Sequence, residues 1–189
     1  MRIAVLTLSD RSYAGIRSDQ SGPIAVKMLE EAFSGSLIEV AILPDDRTAI
    51  REKLLESSAN GYTDLIVTTG GTGLAPRDVT PEATRDVLER EIPGMSEAAR
   101  AVGLLKTPHA MLSRGVCGTR GKTLIINLPG SPKAVADHLS LLIPVIRHVL
   151  DLLSGYTEVC DASPMVLPSA EEKEEQHYLR QLDEENKVK

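Results

Sequence analysis

"DLIVTTGGTGLAPRDVTPEAT", Asp64 to Thr84, is the stretch whose reading decides the fold. Asp64–Thr69 is a short, β-branched apolar run of the kind that a parallel sheet buries on both faces. Gly70, Gly71, Thr72 and Gly73 follow at the carboxyl end of that strand. The spacing then predicts a helix over "PEATRDVLERE", residues 81–91. Thr80 is placed to accept an orphan backbone N–H, and Pro81 loses nothing at the first helical position. Strand, glycine loop and helix in succession form the repeating unit of an α/β sheet.

The same alternation extends in both directions. "RIAVLTL", Arg2–Leu8, reads as a buried strand. A polar run from Ser9 to Gly22 follows, either a flap or a long turn, and then a helix that carries Ile24, Met28, Leu29 and Ala32 at helical spacing after Pro23. "SLIEVAIL", Ser36–Leu43, is a further strand ended by Pro44-Asp45-Asp46. The next helix is "TAIREKLLESSA", closed by Asn60-Gly61. Downstream, a helix is expected over Met95–Leu105 and a strand over Lys122–Leu128. A terminal core helix spans Pro132–Leu153, in which Pro144 produces a kink or a division. The pattern predicts a doubly wound α/β fold: a mostly parallel sheet with helices on both faces, whose ligands sit at the carboxyl ends of the strands.

With 189 residues, 42% of them hydrophobic, the chain can bury one sizeable core. The expected organisation is one domain over residues 1–168 and a charged tail over residues 169–189. Residues 171–189 hold seven acids and four bases, so half of the formal net charge of −6 falls in the tail. Its structure is expected to be a frayed helix or disorder. A mildly acidic body argues against a nucleic-acid partner, which needs a basic surface. No stretch approaches the roughly 18 continuous apolar residues of a membrane span, and the N-terminus lacks the pattern of a signal peptide, so a soluble cytoplasmic protein is expected. Cys117 and Cys160 have no metal-binding or redox spacing and read as unreactive thiols.

A glycine loop can aim several backbone N–H groups at one anion, although by itself it can equally be a strand-to-helix turn. Arg77 and Asp78 lie just beyond it, and Asp45-Asp46 closes a neighbouring strand at the same edge. Carboxylates beside an anion-binding loop suit a divalent cation that bridges them to phosphate oxygens, as Mg2+ does. The alternative for Asp45 and Asp46 is a turn or helix cap, and for Arg77 a surface ion pair. "GVCGTRGKT", Gly115–Thr123, ends like a phosphate-binding P-loop, but its first glycine lies one residue too far from Gly121 and a strand follows. None of His109, His138, His148 and His177 sits in a phosphate-loop motif, and a structural role is expected for His148.

Taken in order, "TLSDR", "SDQSGP", "LPDD", "DLIVTTGGTGLAPRDVTPEAT", "PGMSEAAR" and "LSRGVCGTRGKTLIINLPGSPKAV" resemble the molybdopterin adenylyltransferases of the MogA/MoaB type. The same module occurs as the G domain of gephyrin and of plant Cnx proteins. The resemblance covers about residues 1–155. It implies Mg2+-dependent transfer of AMP from ATP to the phosphate of molybdopterin with release of pyrophosphate, by a homotrimer that hands its product to a separate molybdate insertase. It places Asp45 and Asp78 at the metal and in catalysis. Gly70, Gly71, Thr72, Gly73 and Arg77 fall to the phosphates. Ser9, Asp10, Ser96, Glu97, Ser113, Arg114, Asn127, Pro129, Gly130 and Ser131 line the ligand cleft. Two rivals share the pattern: a molybdopterin carrier or scaffold without turnover, and a nucleotide pyrophosphatase of the competence-damage-inducible type, whose chains usually carry a further domain.

Overall fold

The computed structural model describes residues 1–156. The expected boundary at residues 168/169, the tail, Cys160 and His177 lie outside them. Six strands form one mixed sheet in the order β2-β1-β3-β6-β5-β4. They are β1 (Arg2–Leu8), β2 (Leu37–Leu43), β3 (Leu65–Thr69), β4 (Arg90–Glu91), β5 (Cys117–Arg120) and β6 (Thr123–Leu128). β2, β1, β3 and β6 are mutually parallel. β5 runs antiparallel to β6, and β4 antiparallel to β5.

The helices are α1 (Asp10–Tyr13), α2 (Ser21–Ala32), α3 (Arg47–Ser58), α4 (Thr80–Arg85), α5 (Pro93–Leu104) and α6 (Pro132–Ser154). Alternate residues of each central strand feed two cores. Ile3, Val5, Leu65, Val67, Leu124 and Ile126 pack under α2, α5 and α6, whereas Ala4, Leu6, Ile66 and Ile125 pack under α3 and α4. The doubly wound reading therefore holds. After β1 the chain goes to β2 on one side and then crosses to β3 on the other, which opens a crevice at the carboxyl ends of β1 and β3.

Three expectations need correction. The helix over residues 81–91 ends at Arg85, because the chain then turns to bury Val87 and pairs Arg90 and Glu91 with β5. β5 itself was not foreseen: its two glycine-flanked turns hide a four-residue strand that needs β6 beside it, and Gly118 leaves room for the Arg90 carbonyl and the Leu88 side chain. The Thr80 hydroxyl does not cap α4 but donates to the Gly70 carbonyl at 3.0 Å. Helix α6 runs undivided through Pro144, whose ring lies on its exposed side.

Gly70 has φ +103°, and a Cβ there would lie 2.3 Å from the Leu8 carbonyl oxygen. Gly70→Ala is expected to cost at least about 2 kcal/mol, a loss of roughly 4–8 °C in thermal midpoint for a domain of this size. Gly35→Ala, at φ +81° with open space around it, should cost about 1 kcal/mol. Denaturant melts of both variants separate close approach from backbone strain alone.

Candidate functional site

The loop after β3 is held from both sides. Gly70 N–H donates to the Leu128 carbonyl at 3.1 Å, and a Cβ on Gly130 would lie 3.3 Å from the Gly70 Cα, so the "TTGG" and "LPGS" turns stand back to back. Arg114 ties the rest of the loop down. Its backbone N–H donates to Thr72 O at 2.9 Å, its Nε to Gly73 O at 2.7 Å and one Nη to Asp78 O at 2.6 Å, while the other Nη pairs with Glu82. Arg114 thus frames the glycine loop.

Two carboxylates flank this loop. A Cβ on Gly71 would come within 3.2 Å of Asp45 Oδ1, and a Cβ on Gly73 within 2.8 Å of Asp78 Oδ2. Both glycines therefore keep the backbone against a carboxylate. Asp46 is turned away and caps α3, accepting from Ala49 N–H at 2.9 Å. Asp45 is locked to the start of α1 by a reciprocal pair: Asp10 N–H donates to Asp45 Oδ2 at 2.9 Å and Asp45 N–H to Asp10 Oδ1 at 3.0 Å. Arg77 closes the clasp with two bonds to Asp10, at 2.9 and 2.8 Å.

The electrostatics of the two aspartates in the clasp differ. The hydrogen bonds from the Arg77 guanidinium hold the Asp10 carboxyl below the usual carboxylate range. Partial burial pushes Asp45 up, opposed by the Asp10 N–H and reinforced by the negative charges of Asp10 and Asp78. Asp45 is thus a carboxylate whose ionisation a cation would favour. Two carboxylates that repel each other beside a phosphate-sized loop suit a hard dication completed by substrate oxygens. Among the described residues no cluster of three or more potential ligands forms a ready cage.

Two recesses open beside the loop. The first, about 180 Å³, lies in the crevice between β1 and β3 and is lined by Ser9, Ser12, Arg17, Gly70, Gly71 and Gly130 among others. Ser9 Oγ accepts from Ser12 N–H at 3.2 Å and caps α1. Asp19, at its back, accepts from the Thr7 hydroxyl at 2.6 Å and from the N–H groups of Ser21 and Gly22. This network pins the long Ser9–Gly22 segment to β1. The second recess, about 420 Å³, is bounded by Thr72, Gly73, Ser113, Pro129, Ser131 and the first turns of α6.

Not every expected residue arrives there. Asn127 is buried and fully used: its amide donates to the hydroxyls of Thr68 and Thr84, both at 3.0 Å, and its oxygen accepts from Val116 N–H. It braces β6 against β3 and α4. Ser96 is buried on α5 with its hydroxyl on the Pro93 carbonyl, Glu97 is exposed, and neither lines a recess. Met95 draws that turn of α5 into the core. Cys117 is buried, and burial pushes its thiol up to about 12, which removes it as a nucleophile. Sequence reasoning missed Glu82, Asp19 and His138. The "D-x-S-G-P" spacing of residues 19–23 was a legible cap signal for Asp19, but nothing local marked the other two.

A family profile described as "Probable molybdopterin binding domain" matches residues 4–148. The molybdopterin adenylyltransferase of Helicobacter pylori J99 is 41% identical over 156 residues, which cover 82% of this chain and 89% of that protein. The molybdenum cofactor synthesis protein cinnamon of Drosophila melanogaster is 42% identical over 149 residues, 79% of this chain, but the chain spans only 25% of that longer protein. The crystal structure of the molybdopterin biosynthesis enzyme MoaB from Thermus thermophilus superposes with a TM-score of 0.72 at 48% identity, covering 82% of this chain and 96% of that one. The profile match runs from β1 into α6, over more than half of the chain, and the chain belongs to the probable molybdopterin binding domain family.

Proposed function

We propose that this chain is a molybdopterin adenylyltransferase. The observation that carries the reading is the placement of Asp45 and Asp78 beside one glycine loop, between a polar recess and a larger, more apolar one. A phosphate-to-phosphate transfer needs alignment and charge neutralisation more than a strong base. An oxygen of the molybdopterin phosphate bonds to the α-phosphorus of ATP, the bond between that phosphorus and the bridging oxygen breaks, and pyrophosphate leaves with the electron pair. Gly70 sets the turn, the backbone N–H groups of Gly71, Thr72 and Gly73 hold the reacting phosphates, and Arg77 offers its guanidinium at the rim. Asp45 and Asp78 would hold Mg2+, which supplies the positive charge that lets two phosphates approach. The nucleotide phosphates fit the crevice between β1 and β3, and the pterin fits the 420 Å³ recess.

We further infer a cytoplasmic homotrimer that passes adenylyl-molybdopterin to a separate molybdate insertase. Leu105, Met111 and Leu112 support self-association, because these apolar side chains are 82%, 62% and 47% exposed on the single chain. No helix among the described residues is long and apolar enough to cross a membrane.

The test is pyrophosphate release from magnesium ATP with and without molybdopterin. Asp78→Asn is expected to lower molybdopterin-dependent release by about 100-fold or more while pterin binding persists. Binding without release by the unaltered protein would instead make it a carrier. Asp45→Asn should abolish turnover and yet raise the thermal midpoint at pH 7 without Mg2+. The folded-state pKa of Asp45 lies above the ordinary 3.8, so its ionisation costs stability. That cost is absent below the ordinary value and complete above the raised one, so the advantage of the variant should vanish on acidification. A variant less stable at neutral pH would contradict this assignment of the charge.

A further inference from the structure

His138 stands where the core of α6 calls for an apolar residue. Val135, Leu139, Leu142 and Ile146 form the buried stripe of that helix, and His138 sits among them at 5% exposure. Its imidazole makes no hydrogen bond among the described residues, and its Nδ1 is sealed from solvent without a partner. Buried polar groups are rarely left in this state, because the unmade bond costs stability with nothing in return inside the fold. The other edge of the ring faces a different environment. His138 lines the 420 Å³ recess, and its Nε2 lies 3.5 Å from where a Cβ on Gly103, another lining residue, would sit.

The protonation state follows from that placement. Burial, opposed by the nearby Asp137 carboxylate and aided by Arg100, pulls the imidazole below its ordinary value, so it is neutral at pH 7. A neutral ring carries one proton. On Nδ1 the proton would be a buried N–H with no acceptor; on Nε2 it points to the recess, where a ligand can take it. One residue earlier, Asp137 also lines the recess, and its carboxylate makes no hydrogen bond or ion pair among the described residues. Lys133, Ala134, Asp137 and His138 fall at the spacing that puts them on one side of α6. The recess thus presents a double acceptor beside a single donor.

We infer that Asp137 and His138 read the 2-amino-4-oxopyrimidine edge of a ligand in this recess: the carboxylate accepts from the 2-amino group and the adjacent ring N–H, and His138 Nε2–H donates to the 4-oxo oxygen. This rests on the proposed function, in which that edge belongs to the pterin of the substrate. Guanine carries the same edge, so pterin and guanine nucleotide are the two sources to be distinguished. Both residues are specificity-determining positions, remote from the transferred phosphorus.

The experiment uses the full chain and four measurements: fluorescence titration with pterin-6-carboxylate, competition by lumazine-6-carboxylate and by GMP, the KM for molybdopterin and for ATP in the release assay, and thermal midpoints. Replacing the 2-amino group by an oxo group turns a donor into an acceptor, so the unaltered protein should prefer the pterin over the lumazine by about ten-fold or more. Asp137→Asn should erase most of that preference. His138→Met should weaken pterin binding and raise the KM for molybdopterin by about ten-fold, leave kcat and the KM for ATP unchanged, and keep or raise the thermal midpoint. His138→Gln, which retains an N–H, should recover most of the loss.

His138→Met that binds pterin as the unaltered protein does, or that weakens ATP and pterin alike, overturns the inference. GMP competing as well as the pterin would support the reading of the edge and overturn the pterin as its source. If molybdopterin-dependent release is intact while the variants are silent, only this inference fails; if the unaltered protein neither binds pterin nor releases pyrophosphate, the failure lies with the proposed function.

Discussion

The Leu8 carbonyl oxygen would lie 2.3 Å from any Cβ at Gly70, and the functional end of the molecule depends on that contact. Because the backbone at residue 70 can touch β1, the loop leaves β3 without climbing away from the sheet. It is then clamped by Thr80 on one side and by the Leu128–Gly130 turn on the other. Hydrogen bonds from Thr80 and to Leu128 satisfy both polar groups of Gly70, so a tightly buried turn carries no orphaned backbone. The carboxylates of Asp45 and Asp78 are consequences of this threading. Each stands where a missing side chain leaves the loop backbone within van der Waals reach of it.

The surroundings of the loop divide between holding and acting. Arg114 and Asn127 spend their hydrogen bonds on the protein: one on the carbonyls of Gly73 and Asp78, the other on Thr68 and Thr84. Arg77 and the Asp10 carboxylate pair at an exposed rim, where a bidentate ion pair contributes little stability. Asp45 is the opposite case, a partly buried carboxylate that two neighbouring negative charges disfavour. His138 shows the same trade in neutral form, since an apolar residue would suit the core better. Local instability gathered around one loop is what a binding site looks like.

The alternation of apolar runs and helical spacings was enough for the doubly wound architecture, because buried parallel strands and the helices that cover them obey periods visible in a linear chain. The glycine loop and the carboxylates beside it were legible for a related reason: turn chemistry is local, and the carboxyl ends of parallel strands share one edge. The same local reasoning misread residues 86–91. "DVLERE" has helical spacing, but Arg90 and Glu91 find strand partners in a hairpin some 30 residues later, and pairing across the sheet outweighed propensity.

The sequence by itself determined the layers and the strand-loop-helix unit whose glycine loop lies beside Asp45 and Asp78, since these depend on period and on backbone freedom within a few residues. Only the tertiary structure decided which of two adjacent aspartates faces the loop, that Arg114 and Asn127 are braces, that Ser96 and Glu97 stand apart, and that His138 is orphaned beside a recess. Each of those facts is a matter of distance between residues far apart in the chain. Burial and hydrogen-bond satisfaction are properties of a filled volume, and no window of a linear chain contains them.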